Sequence, residues 1–272
     1  VPLAGFPYHA LERHLHKLLK AGHKVAICEQ VEDPKIAKGI VKREVIEIVT
    51  PGTSLSEKYL DRNENNYLGS IIYKENNYGF AVIDISTSEF YTVEVQKKDL
   101  LNTIQKYNPK EILISEEQRE EISIILDGSK FFLTPYQSWI WDESFASDEL
   151  RKVFKVNSLK GFGIEDMPLA IGAAGAITHY LRTKLMRKLN HLTGIKCIHS
   201  LDKVLVDAST IRNLEIFNSL SNQGVHGTLI SIIDKTTTAA GSRLLKKWIK
   251  EPLLDKKRLN NRLDNVEELI IN

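Results

Sequence analysis

The amino-acid sequence predicts an α/β protein with a mixed sheet in its middle part, a small α/β segment before it and helices after it. Between residues 67 and 95, three β-rich runs are separated by short polar connections, which is typical of an antiparallel meander. From residue 100 to residue 185, apolar patterns with helical spacing alternate with short apolar runs, which indicates helices between further strands. From residue 200 onward, the sequence carries amphipathic helical patterns only.

Length and composition limit the class of protein. The 272 residues, 42% hydrophobic and 26% charged, suffice for two or three ordinary globular domains. No apolar run approaches the ~20 residues that a membrane helix needs, and Cys28 and Cys197 are too few for a disulfide framework. We therefore expect a cytoplasmic protein that does not contact a membrane. Because the chain opens at Val1 without an initiator Met, we also expect it to be a fragment of something longer.

The first 50 residues predict a helix followed by two strands. Four leucines lie at the spacing of one apolar helical stripe: Leu11, Leu15, Leu18 and Leu19. Gly22 follows them where a left-handed residue ends a helix. Residues 24–28 predict a buried strand and residues 45–49 a second strand. The turn formed by residues 50–53 and the polar stretch behind it predict a domain boundary between residues 50 and 52.

Residues 52–190 predict one mixed-sheet domain. Its predicted strands cover residues 67–74, 78–85, 89–95, 112–114 and 131–133. A helix follows the meander, Ser115 is placed to cap the next helix, and two more helices cover residues 144–155 and 167–185. This order of three strands and then alternating helices and strands is the layout of an RNase H-like domain, although layout alone determines no chemistry.

Residues 200–272 predict the start of a helical domain. Apolar positions at helical spacing fall in residues 211–217, 242–249 and 259–269, and Pro252 ends the second of these patterns. The last pattern continues to the end of the chain without a stop signal.

Absent motifs narrow the chemistry. The sequence contains no Gly-x-x-x-x-Gly-Lys-Ser/Thr phosphate loop, no Gly-x-Gly-x-x-Gly fingerprint and no Gly-x-Ser-x-Gly nucleophile elbow. No cysteines or histidines have zinc-ligand spacing, and the histidines of the first helix do not converge on one face. We expect no catalytic residue, no metal ligand and no resident cofactor in these residues.

Asp84 leaves two interpretations open. A two-metal nuclease needs several acids that converge within about 4 Å, and Asp84 with Glu116 and Glu117 is the available set. However, the first strand, residues 67–74, contains no acid. Asp84 ends the second strand beside a turn, where an Asp commonly caps backbone groups. The alternatives are an RNase H-like metal-dependent nuclease centred on Asp84 and a purely structural aspartate.

Two basic runs are candidates for phosphate contact. Residues 38–43 place Lys38, Lys42 and Arg43 around Gly39 without an acid before Glu44, which is typical of a phosphate-contacting loop and also of a solvated one. Residues 243–258 contain seven bases against two acids, and four of them share a helical face: Arg243, Lys246, Lys247 and Lys250. Together the runs leave open a stand-alone duplex DNA-binding module, whose affinity would fall steeply with salt.

A third candidate surface is the helix that begins near residue 144. Its polar side carries Asp148, Glu149, Arg151 and Lys152. Trp139 and Trp141 precede it beside Asp142 and Glu143, acids that would repel a nucleic-acid backbone. We interpret this helix as a protein-docking surface.

Several strings resemble one protein family over nearly the whole chain. They are VPLAGFPYHA at residues 1–10, AICEQVEDP at 26–34, VKREV at 41–45, IVTPGT at 48–53, DIS at 84–86, GFGIE at 161–165, AAG at 173–175, DASTIRNLE at 207–215 and GSRLLKKW at 241–248. On these residues the sequence resembles the MutS family of bacterial DNA mismatch-recognition proteins.

The resemblance implies a domain organisation and partners. Residues 1–50 resemble the second half of the mismatch-binding domain, residues 52–190 the connector domain and residues 200–272 the start of the core and lever domain. The family's connector relays ATP-dependent rearrangement and docks MutL, which implies that role for Asp148, Glu149, Arg151 and Lys152.

The resemblance also implies how DNA is contacted. Pro2, Leu3 and Ala4 are implied to lie near the minor groove, with Lys38, Lys42 and Arg43 on phosphates. The family's mismatch-wedging Phe and its ATPase domain, which uses ATP and magnesium, do not match any residues here, nor does the surface through which it forms homodimers. We therefore expect duplex DNA contact without mismatch discrimination, and no enzymatic activity.

Overall fold

The computed structural model describes residues 5–32, 39, 41–53, 63–126, 131–198, 203–204, 206–221 and 224–271. The described residues before Ile198, apart from 63–65, form one compact unit, and residues 63–65 form a second with those from Ile198 onward. Among the described residues, no helix is both long and apolar enough to span a membrane.

The first unit begins with a helix and a two-stranded hairpin. Helix α1 (Leu11–Lys20) is followed by strands β1 (Val25–Gln30) and β2 (Arg43–Val49), which pair antiparallel. Leu15 and Leu19 of α1 pack on Val49 in a small apolar cluster, as their spacing predicts. The prediction of a buried first strand was wrong, because most β1 side chains are exposed and only alternate ones face α1.

A six-stranded mixed sheet forms the centre of the first unit. Its strands are β3 (Leu68–Lys74), β4 (Asn77–Asp84), β5 (Glu89–Gln96), β6 (Glu111–Ser115), β7 (Phe132–Tyr136) and β8 (Lys196–Cys197). They are ordered β7-β6-β3-β4-β5-β8. The strands β3, β4 and β5 form the antiparallel meander, whereas β6 joins β3, β7 joins β6 and β8 joins β5 in parallel. The predicted α/β class and the meander are confirmed.

In the part of this unit that the structure describes, four α-helices follow β5. They are α2 (Lys97–Tyr107), α3 (Arg119–Ile125), α4 (Glu143–Phe154) and α5 (Pro168–His179), and a π-helical turn (Tyr180–Lys184) extends α5. Three of these four helices pack directly on the sheet, whereas α4 packs on α5. Ser115 does not cap the next helix with its side chain; its hydroxyl bonds Ser138 instead. Helix α5 is buried almost throughout, and small residues let it approach the sheet closely.

The second unit is helical. It contains α6 (Ala208–Asn213), α7 (Leu229–Ile233), α8 (Ala239–Lys250) and α9 (Lys256–Ile271). Side chains of Asp207, Thr228 and Thr238 accept a backbone N–H at the start of α6, α7 and α8, which stabilises each helix N-terminus. The predicted helix through residue 217 ends at Asn213, because Glu215 adopts a left-handed φ of 47°.

Candidate functional site

The β1–β2 hairpin presents two of the residues that were predicted to contact DNA. Lys42 precedes β2 and Arg43 begins it, and both side chains are exposed. The Lys42 Nζ lies 2.6 Å from Oε1 of Glu44, and this hydrogen-bonded ion pair raises the pKa of Lys42. The hairpin therefore offers exposed positive charge, of which Glu44 neutralises part. Pro2, Leu3, Ala4 and Lys38 lie outside the described residues.

Helix α4 carries the residues that were predicted to dock a partner. The Asp142 side chain accepts the Phe145 N–H and thereby caps the helix. Asp148 and Arg151 are exposed and form an ion pair of 2.6 Å within one turn, with Lys152 exposed beside them. The outer face of α4 is thus a rigid surface of mixed charge.

Glu149 differs from its predicted position on that face. Its side chain is only 3% exposed; its Oε1 accepts a hydrogen bond from Arg182 Nη2 at 2.8 Å, and the same nitrogen lies 2.7 Å from Oε2 as an ion pair. Lys152 approaches the same carboxylate at 3.7 Å. A buried charge is stable only where such partners offset its lost hydration. Glu149 consequently holds α4 against the residues after α5, and the exposed face consists of Asp148, Arg151 and Lys152.

His179 completes the inner side of this surface. Its Nδ1 lies 3.9 Å from Oε2 of Glu149, and its ring packs edge-on against Trp139 and Phe145 at centroid distances of 5.3 Å and 5.2 Å. Burial lowers the pKa of His179, Glu149 raises it to a smaller extent, and Arg182 lowers it. The pattern around residue 144 gave no sign of this contact, because His179 and Arg182 come from a distant segment.

The two tryptophans before α4 have different environments. Trp141 is buried and donates its indole N–H to Ser70 in β3, whereas Trp139 is 51% exposed and donates to Gln137. Trp139 also makes an edge-to-face contact with Phe145, with ring centroids 4.7 Å apart. An exposed and well-supported aromatic ring beside a charged helix face is common at protein interfaces.

Asp84 makes the contacts of a structural residue. It is 1% exposed, and its Oδ2 accepts from the Asn66 N–H while its Oδ1 accepts from Ser86 and from the Thr87 N–H. Within the described residues, no three His, Cys, Asp or Glu side chains come together in a way that could hold a metal ion. These bonds favour the structural interpretation of Asp84.

The four basic residues of the second run that lie on α8 are less exposed than a solvated face would be, whereas Lys256, Lys257 and Arg258 are exposed. Arg243, Lys246, Lys247 and Lys250 of α8 are partly buried, whereas Leu244 of the expected inner face is 48% exposed. The Lys246 Nζ bonds the backbone carbonyl of Asn63 at 3.0 Å and lies 3.9 Å from Glu64. The predicted helix was correct, but its basic residues pack within the second unit and do not form an open face.

A mixed-sheet α/β unit, with Lys42 and Arg43 exposed on its hairpin and mixed charge on the outer face of α4, is followed by a helical unit, so the fold is that of a multidomain α/β protein. Comparison with known families is specific. Residues 1–58 match the family described as MutS domain I. Residues 66–193 match MutS domain II, and residues 209–272 match MutS domain III. The chain belongs to the MutS family, of which it carries domains I, II and III.

Individual relatives agree. The chain is 40% identical to a protein of Lachnoclostridium phytofermentans over 98% of this chain and 29% of the relative, and 42% identical to one of Halothermothrix orenii over 100% and 31%. It is 42% identical to a protein of Cytophaga hutchinsonii over 99% of this chain and 31% of the relative. All three relatives are named DNA mismatch repair protein MutS. The chain thus spans less than a third of the length of the curated relatives it matches.

Proposed function

We propose that these three domains act in DNA mismatch repair as the part that contacts duplex DNA and docks MutL. Domain I would contact DNA through the β1–β2 hairpin. Domain II would be the connector that relays ATP-dependent rearrangement from an ATPase domain, where ATP and magnesium bind, and domain III would begin the core and lever. We expect no enzymatic activity in this chain, and the whole protein to act on mismatched DNA as a homodimer.

The observation that carries the docking role is the outer face of α4. Asp148, Arg151 and Lys152 are exposed on a helix whose inner side is fixed by Glu149 and Arg182. A preformed surface of this kind avoids much of the ordering cost of association. Trp139 adds an apolar anchor next to the charges, since aromatic residues contribute much of the energy at interfaces.

The RNase H-like assignment of domain II is part of the proposal. Its support is the strand order β5-β4-β3-β6-β7, in which an antiparallel meander is continued by parallel strands on the side of β3. This assignment concerns the fold only, because chemistry depends on the site.

The test is binding of this chain to purified MutL whose nucleotide-binding domain is loaded with a non-hydrolysable ATP analogue. The decisive variant is the exchange Asp148→Arg with Arg151→Asp, which keeps composition, net charge and the ion pair but inverts the charge pattern. The matched control is the exchange Lys98→Asp with Asp99→Lys on α2, where both residues are exposed.

We expect the α4 exchange to weaken MutL binding by at least tenfold, the equivalent of about 1.4 kcal/mol, and the α2 exchange to leave it unchanged. Equal affinities of the two exchanged variants would refute docking on α4. Glu149 is unsuitable for this test, because its substitution removes the buried carboxylate that attaches α4 to Arg182 and so changes the packing of the helix as well as its charge.

A further inference from the structure

The turn that follows β2 is largely buried and carries internal hydrogen bonds. Thr50 and Thr53 are 0% and 1% exposed, and their hydroxyls lie 2.8 Å apart. The Thr53 N–H donates to the Thr50 carbonyl at 3.1 Å and the Thr50 N–H donates to the Thr53 hydroxyl at 3.1 Å. Residues 50–53, here called the junction turn, therefore have a closed internal hydrogen-bond pattern.

Glu111 ties the junction turn to the sheet. It begins β6, its side chain is completely buried, and its Oε2 accepts the Gly52 N–H at 3.3 Å. Its Oε1 accepts from the hydroxyls of Thr134 at 2.6 Å and Tyr180 at 3.3 Å. One carboxylate thus joins the junction turn, strand β7 and the end of α5, and hydrogen bonds to a charged acceptor are the strong ones.

The shape of the contact is as restrictive as its hydrogen bonds. A Cβ on Gly52 would lie 2.9 Å from Cβ of Glu111 and 3.3 Å from Cα of Leu68. Because the φ of Gly52 is not left-handed, the close approach to Glu111 and Leu68, and not the backbone conformation, is the reason that a glycine is needed here. The junction turn cannot slide along β6 without moving the buried carboxylate.

Arg187 makes a second attachment on the opposite side of the junction turn. Its Nη2 donates to the Thr53 carbonyl at 3.4 Å and lies 2.5 Å from Oε1 of Glu47 in β2. Asn66 makes a third attachment, donating its side-chain amide to the Pro51 carbonyl at 3.3 Å. Arg187 therefore attaches both the junction turn and strand β2, which leads into it.

The start of the hairpin also contacts domain II. The Lys24 Nζ lies 5.9 Å from the Phe132 ring centroid and 5.8 Å from that of Tyr180. Ile48 in β2 packs on the large apolar core of the sheet. A hinge needs residues whose backbone is free to absorb a change in φ and ψ, and the junction turn offers none, because swinging it would leave Glu111 buried without its N–H donor.

We propose that Glu111 and Arg187 are positioning residues that lock the β1–β2 hairpin to the connector sheet, so that the hairpin and domain II move as one rigid body. This inference deepens the proposed relay function and rests on it for its biological meaning: a rotation of the connector would carry Lys42 and Arg43 with it and so lift them from the DNA or press them against it.

The test measures the distance distribution between two spin labels in the full chain by pulsed electron paramagnetic resonance. One label is placed on Cys28, which is exposed in β1, and the other on an Ile124→Cys substitution in α3, where Ile124 is 74% exposed. Cys197→Ser removes the second natural thiol. The control pair lies within domain II, on Lys98→Cys and Ile124→Cys, with both natural cysteines replaced by Ser.

We expect one narrow distance peak for the hairpin pair, as narrow as that of the control pair. Glu111→Gln combined with Arg187→Gln should abolish this narrow peak for the hairpin pair and leave the control peak unchanged. In the chain that keeps Glu111, Arg187→Lys retains the positive charge that faces Glu47. It should therefore broaden the distance peak of the hairpin pair less than Arg187→Gln does. If the double variant does not fold, Glu47→Gln loosens the same attachment from the hairpin side.

A broad or multiple-peaked hairpin distribution in the unsubstituted chain would overturn the proposal. So would equal broadening of both pairs in the double variant, because that outcome means general loosening of the fold. The measurement contains neither DNA nor MutL, so a failure of MutL docking leaves it unaffected. Conversely, a mobile hairpin together with intact MutL binding would refute the rigid attachment of the hairpin to domain II, and the proposed docking function would still stand.

Discussion

The Arg182 guanidinium binds the buried Glu149 carboxylate through a single nitrogen, which lies 2.8 Å from one oxygen and 2.7 Å from the other. Glu149 belongs to α4 and Arg182 to the π-helical turn after α5, so this pair fixes the two helices against each other. The consequence for function is geometric. With Glu149 turned inward, α4 presents Asp148, Arg151 and Lys152 outward in a fixed arrangement.

This pair predicts a clear stability effect. Arg182→Ala leaves Glu149 buried without its main partner, which costs about 1–3 kcal/mol of the free energy of unfolding. The cost stays below that of a fully buried pair, because the Arg182 side chain is 43% exposed. Urea unfolding measures the change. The matched control is Arg151→Ala, which breaks an exposed pair on the same helix and costs at most about 1 kcal/mol; equal losses would contradict the role assigned to Arg182.

His179 predicts a dependence of stability on pH. Burial lowers its pKa from the usual 6.5, with Glu149 opposing the shift and Arg182 adding to it. Below about pH 6.5 the unfolded chain therefore binds more protons at this position than the folded chain. The free energy of unfolding then falls as pH drops, by at most about 1.4 kcal/mol per pH unit for one proton, and the loss stops growing below the folded-state pKa.

The check is a series of urea unfolding curves between about pH 7.5 and about pH 4.5, a range that extends about one unit above and about two units below the usual histidine pKa. His179→Phe keeps an aromatic ring against Trp139 and should reduce the slope of stability with pH. Trp139→Phe alters the same aromatic cluster without removing a titratable group, and we expect it to keep the slope. An unchanged slope in His179→Phe would show that other groups govern the pH dependence.

The close approach of α5 to the sheet predicts a third effect. A Cβ on Gly79 in β4 would lie 2.1 Å from the carbonyl oxygen of Leu169, a backbone atom that cannot turn aside. Gly79→Ala should therefore destabilise the first unit by about 1–3 kcal/mol or more, as overpacking does. Gly161→Ala is the control, because nothing lies within 4 Å of its added Cβ. Thermal unfolding of both variants distinguishes them, and similar midpoints would contradict the packing described.

Much of the fold follows from local patterns, and the exceptions have physical causes. The meander β3–β5 was predictable because its strands are β-rich and joined by short polar turns. The two-residue strand β8 was not, since it exists only through pairing with β5, which lies far away in the chain. The helix predicted through residue 217 stops early because Glu215 adopts a left-handed φ. The sequence gives no sign of this, since the position is not occupied by a glycine.

The candidate site was predictable in position but not in detail. The charged stretch on α4 was visible in the sequence, but Asp148 and Glu149 are neighbours of the same charge. Only the arrival of Arg182 and His179 from the end of α5 decides which of the two carboxylates is buried. The role of Glu111 was also not predictable from the sequence, because its local pattern indicates only the start of a strand. Its partners Gly52 and Tyr180 are distant from it in the chain, one on each side.

The Lys42–Glu44 pair predicts how DNA affinity responds to charge. Glu44→Gln removes the carboxylate that neutralises Lys42 and should strengthen binding to a duplex, whereas Lys42→Ala should weaken it and reduce the salt slope by about one. Fluorescence anisotropy with a labelled duplex at several salt concentrations measures both. Matched and mismatched duplexes should give equal affinities. Lys98→Ala on α2 serves as the control, and a salt-independent affinity of the unsubstituted chain would exclude phosphate contact.

The effect of an Asp84 substitution on the free energy of unfolding distinguishes the structural from the nuclease interpretation of this residue. Its oxygens accept from the Asn66 N–H, the Ser86 N–H and hydroxyl, and the Thr87 N–H, so they hold the turn between β4 and β5 to the start of β3. In Asp84→Asn an amide N–H must face one of these backbone donors whichever way the group is turned.

We therefore expect Asp84→Asn to lower the free energy of unfolding by about 1–3 kcal/mol, measured by urea unfolding, while the exposed control Asp99→Asn leaves it unchanged. The same samples are incubated with nicked and hybrid duplexes in the presence of magnesium or manganese. Cleavage by the unsubstituted chain that disappears in a fully stable Asp84→Asn variant would establish the nuclease interpretation. Loss of stability without any cleavage is the result that the hydrogen bonds of Asp84 predict.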